Sequence, residues 1–111
     1  ARKRYEELEE AGEVSEAYFV HGLASQAAEA TAEFVHRRIR RELDLPDKRS
    51  KRYSWGYPPC PDVTQHRLLF KLLPAQTALG MSITPAGQLI PEHSTAALVV
   101  HHPEARYFVV Q

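Results

Sequence analysis

Over residues 2–43 and 63–73 the apolar positions recur three and four apart, whereas beyond Pro74 they come in short runs separated by proline and glycine. The first spacing is that of a helix face and the second that of strands. "RKRYEELEEA", residues 2–11, predicts a short helix that Gly12 stops. Ser15 is placed to cap a second helix, "EAYFVHGLASQAAEATAEFVHRRIRREL", in which Val20, Ala24, Ala27, Thr31, Phe34, Val35 and Ile39 form the apolar row. Glu16 in its first turn and Arg37, Arg38, Arg40 and Arg41 in its last turns suit the helix dipole, and Pro46 closes it. Its alanines and Gly22 leave a slim face that neighbours can approach, which places this helix at the centre of the packing.

"LPDKRSKR" then reads as a polar connection into a stiff aromatic loop, "RYSWGYPPCP", residues 52–61. Asp62 is placed to cap a helix of about three turns, "VTQHRLLFKLL", with Val63, Leu68, Leu69, Leu72 and Leu73 as its apolar side and Pro74 as its end. "GMSIT", "GQLI" and "TAALVVHH" read as strands, and "PEAR" joins the last of them to "YFVV" as a hairpin turn would. Helices first and strands after, without βαβ alternation, predict the α+β class with an antiparallel sheet.

Composition narrows the setting. A chain of 111 residues, 43% hydrophobic, fits one domain, residues 1–111, with a modest core. Fourteen basic and fourteen acidic residues cancel, so no whole-molecule field draws the chain to nucleic acid or anionic lipid. One cysteine forms no internal disulfide, and no apolar run approaches the roughly 18 residues of a membrane span; the cytoplasm is the simplest location. No signal peptide is seen in "ARKRYEELEE", which is already charged and helical in character, so an N-terminally truncated fragment of a larger protein is expected.

Candidate chemistry is local. Between Arg37 and Arg52 eight basic residues face three acidic ones, a surplus able to track a phosphate backbone and the basis of an alternative reading as a small nucleic-acid-binding domain. Against that reading, arginines are what a solvated helix C-terminus carries, and Glu33 stands four residues before Arg37 for a helix pair. Six histidines and Cys60 show no metal-ligand spacing, so no metal site is expected. Cys60, flanked by Pro59 and Pro61, reads as a packing residue rather than a nucleophile. No catalytic triad, phosphate loop or carboxylate pair is recognisable, and no catalytic residue is assigned.

In the loop, Arg52 supplies a forked cation for a carboxylate, Gly56 allows close backbone approach, and Tyr53, Trp55 and Tyr57 offer ring faces. That inventory suits an amino-acid-bearing aromatic ligand. It equally suits aromatics that only pack the loop on the core, and residue chemistry leaves both readings open.

"YFVHGLASQAAEATAEFVHRRIR", "RYSWGYPPCPD" and "HHPEARYFVV", in that order, resemble the activation domain of cobalamin-dependent methionine synthase, the C-terminal module that binds S-adenosylmethionine. The loop follows the family pattern of Arg, three residues, Gly-Tyr-Pro, usually Ala, then Cys-Pro, and the resemblance spans residues 18–111. It implies a twisted antiparallel sheet flanked by helices. Residue by residue, it implies that Arg52 holds the methionine carboxylate, that the Ser54 backbone meets the adenosine part, that Gly56 and Tyr57 keep family identities, that Tyr107 lines the pocket, and that Glu29 stands near the ligand's charged end. Pro59 replaces the usual Ala, and Ile90, Glu92 and His93 stand in a segment that lacks the family's Trp and Gly-Ala-Ser run, so a different pocket wall is expected there.

The implied activity is reductive methylation. S-adenosylmethionine gives its methyl group to cob(II)alamin as one electron arrives from flavodoxin or a related flavoprotein, which reactivates the parent methyltransferase of methionine biosynthesis. Cobalamin is expected on another domain of that parent, the partner this chain faces, with no nucleic acid or membrane involved. Alone, the chain is expected to catalyse no methyl transfer to homocysteine, because it carries neither a cobalamin-binding His motif nor zinc-ligand cysteines.

Overall fold

The computed structural model describes residues 1–46 and 49–110. Asp47 and Lys48, part of the polar connection and of the basic run, and Gln111 lie outside the described residues. In chain order the elements are α1 (Arg2–Glu10), α2 (Val14–Glu42), β1 (Ser50–Ser54), a 3-10 turn (Val63–Gln65), α3 (His66–Leu72), α4 (Ala75–Leu79), β2 (Ser82–Ile83), β3 (Leu89–Ile90) and β4 (Ala97–His101). β1 pairs antiparallel with β4, Arg52 opposite Val99, and β2 pairs antiparallel with β3. Helices with antiparallel pairs are the α+β class that the hydrophobic pattern predicts.

Helix α1 ends where Gly12 turns left-handed, at φ 77°. Gly12 N–H donates to Glu9 O at 3.0 Å and Glu13 N–H to Leu8 O at 2.8 Å, the two bonds that satisfy the last carbonyls of a helix. The chain reverses there, and Leu8 and Ala17 are buried where α1 lies against α2. Helix α2 begins at Val14 with Glu13 at the cap position, so Ser15 sits inside the first turn instead of capping it. At its far end Asp44 takes φ 53° and Leu45 N–H donates to Arg40 O at 2.8 Å, the same closure, with Pro46 just beyond. At about 1.5 Å per residue α2 spans roughly 43 Å. It sets the longest dimension of the molecule, 51 Å.

The inward face of α2 keeps Val20, Ala24 and Ile39 of the predicted row but not the rest of it. Ala17, Ala24, Ala28, Ala32 and His36 are buried or half-buried, whereas Ala27, Thr31, Phe34 and Val35 are exposed. Small side chains let the sheet approach, and His36 turns inward because its Nε2 lies 2.8 Å from Ser50 Oγ on β1, both residues being buried.

Further predictions change. Residues 50–54 are strand β1 rather than connection and loop. Residues 107–110 make no hairpin with β4, whose partner is β1; the C-terminal segment crosses to the loop after β1, where Tyr53 Oη donates to Arg106 O at 2.8 Å and Val110 N–H donates to Pro58 O at 3.1 Å. Asp62 does accept a bond from Thr64 N–H, at 3.0 Å, but the first turn it caps is 3-10 and α3 proper holds only seven residues. On α3 the buried side chain is His66, while Leu68, Leu72 and Leu73 of the predicted apolar side are exposed. Leu73, ahead of Pro74, is extended at φ −119° and ψ 137°, which separates α3 from the unpredicted α4. No helix among the described residues is long and apolar enough to cross a membrane.

Candidate functional site

β1 runs straight into a stiff turn. Gly56 takes φ 91° and its N–H donates to Cys60 O at 2.8 Å, while Cys60 N–H donates back to Tyr57 O at 2.8 Å. A Cβ at Gly56 would meet nothing nearer than Val63 Cγ1 at 3.5 Å, so glycine serves the backbone angle rather than close approach. Pro58 and Pro59 then hold the crossing over which the C-terminal segment lies.

Between this loop, β1, α2 and the C-terminal segment opens a cavity of about 460 Å³. That volume suits a small molecule. Glu29, Arg52, Ser54, Tyr57 and Tyr107 line it, so the fold gathers five of the six site residues expected from sequence; Gly56 shapes the turn from outside the lining. Tyr53, Phe108 and Val109 complete the wall. Tyr53 meets Tyr107 edge-on at 5.6 Å between ring centroids, and Lys51 Nζ lies 5.8 Å from the Tyr107 centroid. These contacts hold an otherwise exposed ring at the cavity mouth. Trp55 points elsewhere: its Nε1–H donates to Gln65 Oε1 at 3.0 Å, and it lines a second cavity of about 310 Å³ with His66 and Glu92.

Charge is arranged with capacity in reserve. Arg52, with a side chain 17% exposed, approaches Glu29 only to 3.6 Å, from Nη2 to Oε2. That is a charge contact beyond hydrogen-bond range. Its Nη1 is buried with no hydrogen-bond partner. Glu29 Oε1 instead accepts from Tyr57 Oη at 2.5 Å.

The hydrogen bond to Glu29, then burial and the Glu29 charge, raise the Tyr57 pKa above the ordinary phenol value, with Arg52 opposing. A pKa raised on folding gives stability that is present below the unfolded value and lost as pH climbs through the folded one. Tyr57→Phe is therefore expected to destabilise the protein near neutral pH, with the gap to wild type closing as pH rises past about 10. Thermal melts across that range read the gap, and a gap that stays constant would mean that the Tyr57–Glu29 bond is not the linked group.

Cys60 behaves as the packing residue expected of it: burial first, then the Asp62 charge, push its thiol up, away from thiolate. In the basic run, Arg37 Nε pairs with Glu33 at 3.0 Å, Arg38 Nε with Glu42 at 2.8 Å, and Arg40 Nη2 approaches Glu33 at 3.8 Å. The first two are the i,i+4 pairs of a solvated helix face, whereas the Arg40 side chain is largely covered. The fold also sets His21 of α2 against Glu92 and His93, a grouping that linear spacing does not reveal because 72 positions separate the two histidines.

Residues 1–111 match the family described as "Vitamin B12 dependent methionine synthase, activation domain". Methionine synthase of Mycobacterium tuberculosis (strain ATCC 25618 / H37Rv) is 37% identical over 110 residues, and that of Mycobacterium leprae (strain TN) is 39% identical over 110 residues. Each alignment covers 82% of this chain but only 9% of the relative's length. A crystal structure of the MetH reactivation domain bound to AdoHcy superposes with a TM-score of 0.83 at 25% identity, covering 97% of this chain and 38% of that one.

Proposed function

The chain belongs to the family of vitamin B12 dependent methionine synthase activation domains, and from that premise we propose that it binds S-adenosylmethionine in the cavity beside Arg52 and presents the ligand's methyl group for reactivation of the parent enzyme. The observation that carries this reading is Arg52, which lines the cavity beside Glu29 and makes only a long charge contact with it. A guanidinium on a cavity wall is a natural partner for a carboxylate. The methionine carboxylate is that group. Tyr57 and Tyr107 flank the adenosine and methionine parts, the Ser54 backbone meets the adenosine, and Glu29 complements the amino group or the sulfonium. The structural neighbour is bound to AdoHcy, a ligand that lacks only the transferable methyl and its charge, which supports a ligand of this kind.

Positioning is the contribution of this chain, since an oriented donor removes most of the entropic cost of a bimolecular transfer. Cobalamin, held by another domain of the parent enzyme, supplies the methyl acceptor when bound. The residues here bind and aim the donor, and none is assigned a proton to move. The partners are that cobalamin-binding domain and a flavodoxin-type electron donor, which places the reaction in the cytoplasm.

Calorimetric titration tests the reading with S-adenosylmethionine, AdoHcy and a DNA or RNA duplex at two salt concentrations. Saturable one-to-one binding of S-adenosylmethionine with weak salt dependence is expected, because its charges meet at contact and partly out of water. AdoHcy should bind less tightly where Glu29 senses the sulfonium. A folded sample that gives no heat and no thermal shift with S-adenosylmethionine, yet binds the duplex with a steep salt slope, would overturn it.

A further inference from the structure

His21 lies in the second turn of α2, and Glu92 and His93 lie in the segment between β3 and β4. His93 Nε2 stands 3.3 Å from His21 Nδ1, with the two rings edge to face at 63° and 4.9 Å between centroids. For an N–H to nitrogen hydrogen bond that separation is long. For two imidazole nitrogens on one tetrahedral ion it is the right spacing: bonds of about 2.0–2.1 Å at a tetrahedral angle put the nitrogens roughly 3.3–3.4 Å apart. Glu92 Oε1 is 4.0 Å from His21 Nδ1 on a side chain 58% exposed, free to swing the short remaining distance. All three ligand atoms fall within 4.8 Å of one another.

From this juxtaposition we propose that His21, Glu92 and His93 form a binding site for a divalent transition metal of the zinc, cobalt or nickel class. Two borderline imidazoles beside one hard carboxylate favour such ions over calcium or magnesium, and three protein ligands leave a further position to water. Tyr5 of α1 packs its ring on His21 at 5.8 Å between centroids and fixes the plane of that ligand. A bound ion ties the long helix to the β3–β4 segment, and Glu92 also lines the second cavity together with Glu29 and Tyr57. The ion thus acts as a clamp across a fold whose described hydrophobic core is only Leu8, Ala17 and Leu89.

The test titrates the 111-residue chain with zinc chloride by calorimetry and with cobalt chloride by visible absorption. One ion per chain is expected, with cobalt bands of a four- or five-coordinate nitrogen and oxygen site and a higher melting temperature in zinc. His21→Ala and His93→Ala should each weaken zinc by about 100-fold or more, beyond the ~10–100-fold that loss of an outer partner costs. Glu92→Gln should weaken it less, and His101→Ala, away from the cluster, should leave it unchanged. Circular dichroism shows whether each variant is folded, and the cobalt spectrum of the unaltered chain stands independently of the variants. No saturable zinc binding, the octahedral spectrum of aqueous cobalt, or binding unaffected in folded His21→Ala and His93→Ala would overturn the proposal.

Discussion

Arg52→Ala is expected to weaken S-adenosylmethionine binding by about 1.5–3 kcal/mol, the range for hydrogen bonds to a charged group, or roughly 10- to 150-fold in Kd. The size follows from what the guanidinium does without ligand. Its contact with Glu29 is 3.6 Å long and its Nη1 has no partner, so the free protein gains little from it. A ligand carboxylate in the cavity would give it a closer partner than Glu29 does. The same variant should change the melting temperature only slightly, which separates loss of a ligand contact from loss of fold. Arg52→Lys should recover only part of the affinity, because a point ammonium cannot reproduce the planar fork. Unchanged affinity in calorimetry on folded Arg52→Ala would remove Arg52 from the site.

How far residue chemistry reached is clearest at this cavity. Residue chemistry leaves the aromatic loop open between packing and ligand binding, and the resemblance to a family is what singles out Arg52 and Tyr57, both of which line the cavity. Their setting was harder to read. β1 buries Ser50 and Ser54 at its two ends, so its inward residues are polar and hydrophobic alternation gives no sign of a strand. What turns Ser50 inward is its bond to His36, fourteen residues earlier. "YFVV" is strand-like in composition, yet two hydrogen bonds to Tyr53 and Pro58 carry it across the loop, and local propensity holds no record of either. That crossing brings Phe108 and Val109 to the wall.

Helix α2 misled in a different way. Tyr18, Phe19, Leu23 and Phe34 are exposed, so the most hydrophobic face is not the face that meets the sheet. The sheet-facing residues are alanines and one histidine, chosen by how closely a strand must approach and not by how much area they bury. An apolar-row template therefore finds the half-buried Val20, Ala24 and Ile39 but misses Ala17, Ala28, Ala32 and His36. The contact of His21 with His93 was beyond reach for a simpler reason, since nothing local to either residue refers to the other.

Gly87→Ala should be among the most damaging small substitutions in the molecule, costing about 2–4 kcal/mol of stability. Gly87 lies in the turn between β2 and β3 with φ 91°. A Cβ there would stand 2.8 Å from Thr64 Cα, 2.8 Å from Val63 O and 2.9 Å from Thr64 N. All three are backbone atoms, so no side-chain rotation relieves the overlap and the hairpin must move off the 3-10 turn. That movement also disturbs the hydrogen bond His66 Nδ1–H donates to Gly87 O at 2.6 Å, in a residue whose Nε2 is buried without a partner. His66 in turn lies beneath Trp55, the residue next to Ser54 in the turn out of β1. Gly12→Ala provides the control, because Gly12 takes φ 77° with nothing within 4 Å of the added Cβ. Only the left-handed backbone is penalised there, at about 1–2 kcal/mol. Urea denaturation of both variants isolates the steric part as the difference between them. If Gly87→Ala costs no more than Gly12→Ala, the hairpin does not rest on the Val63–Thr64 backbone in solution, and the support it gives to the Trp55 side of the loop is not there.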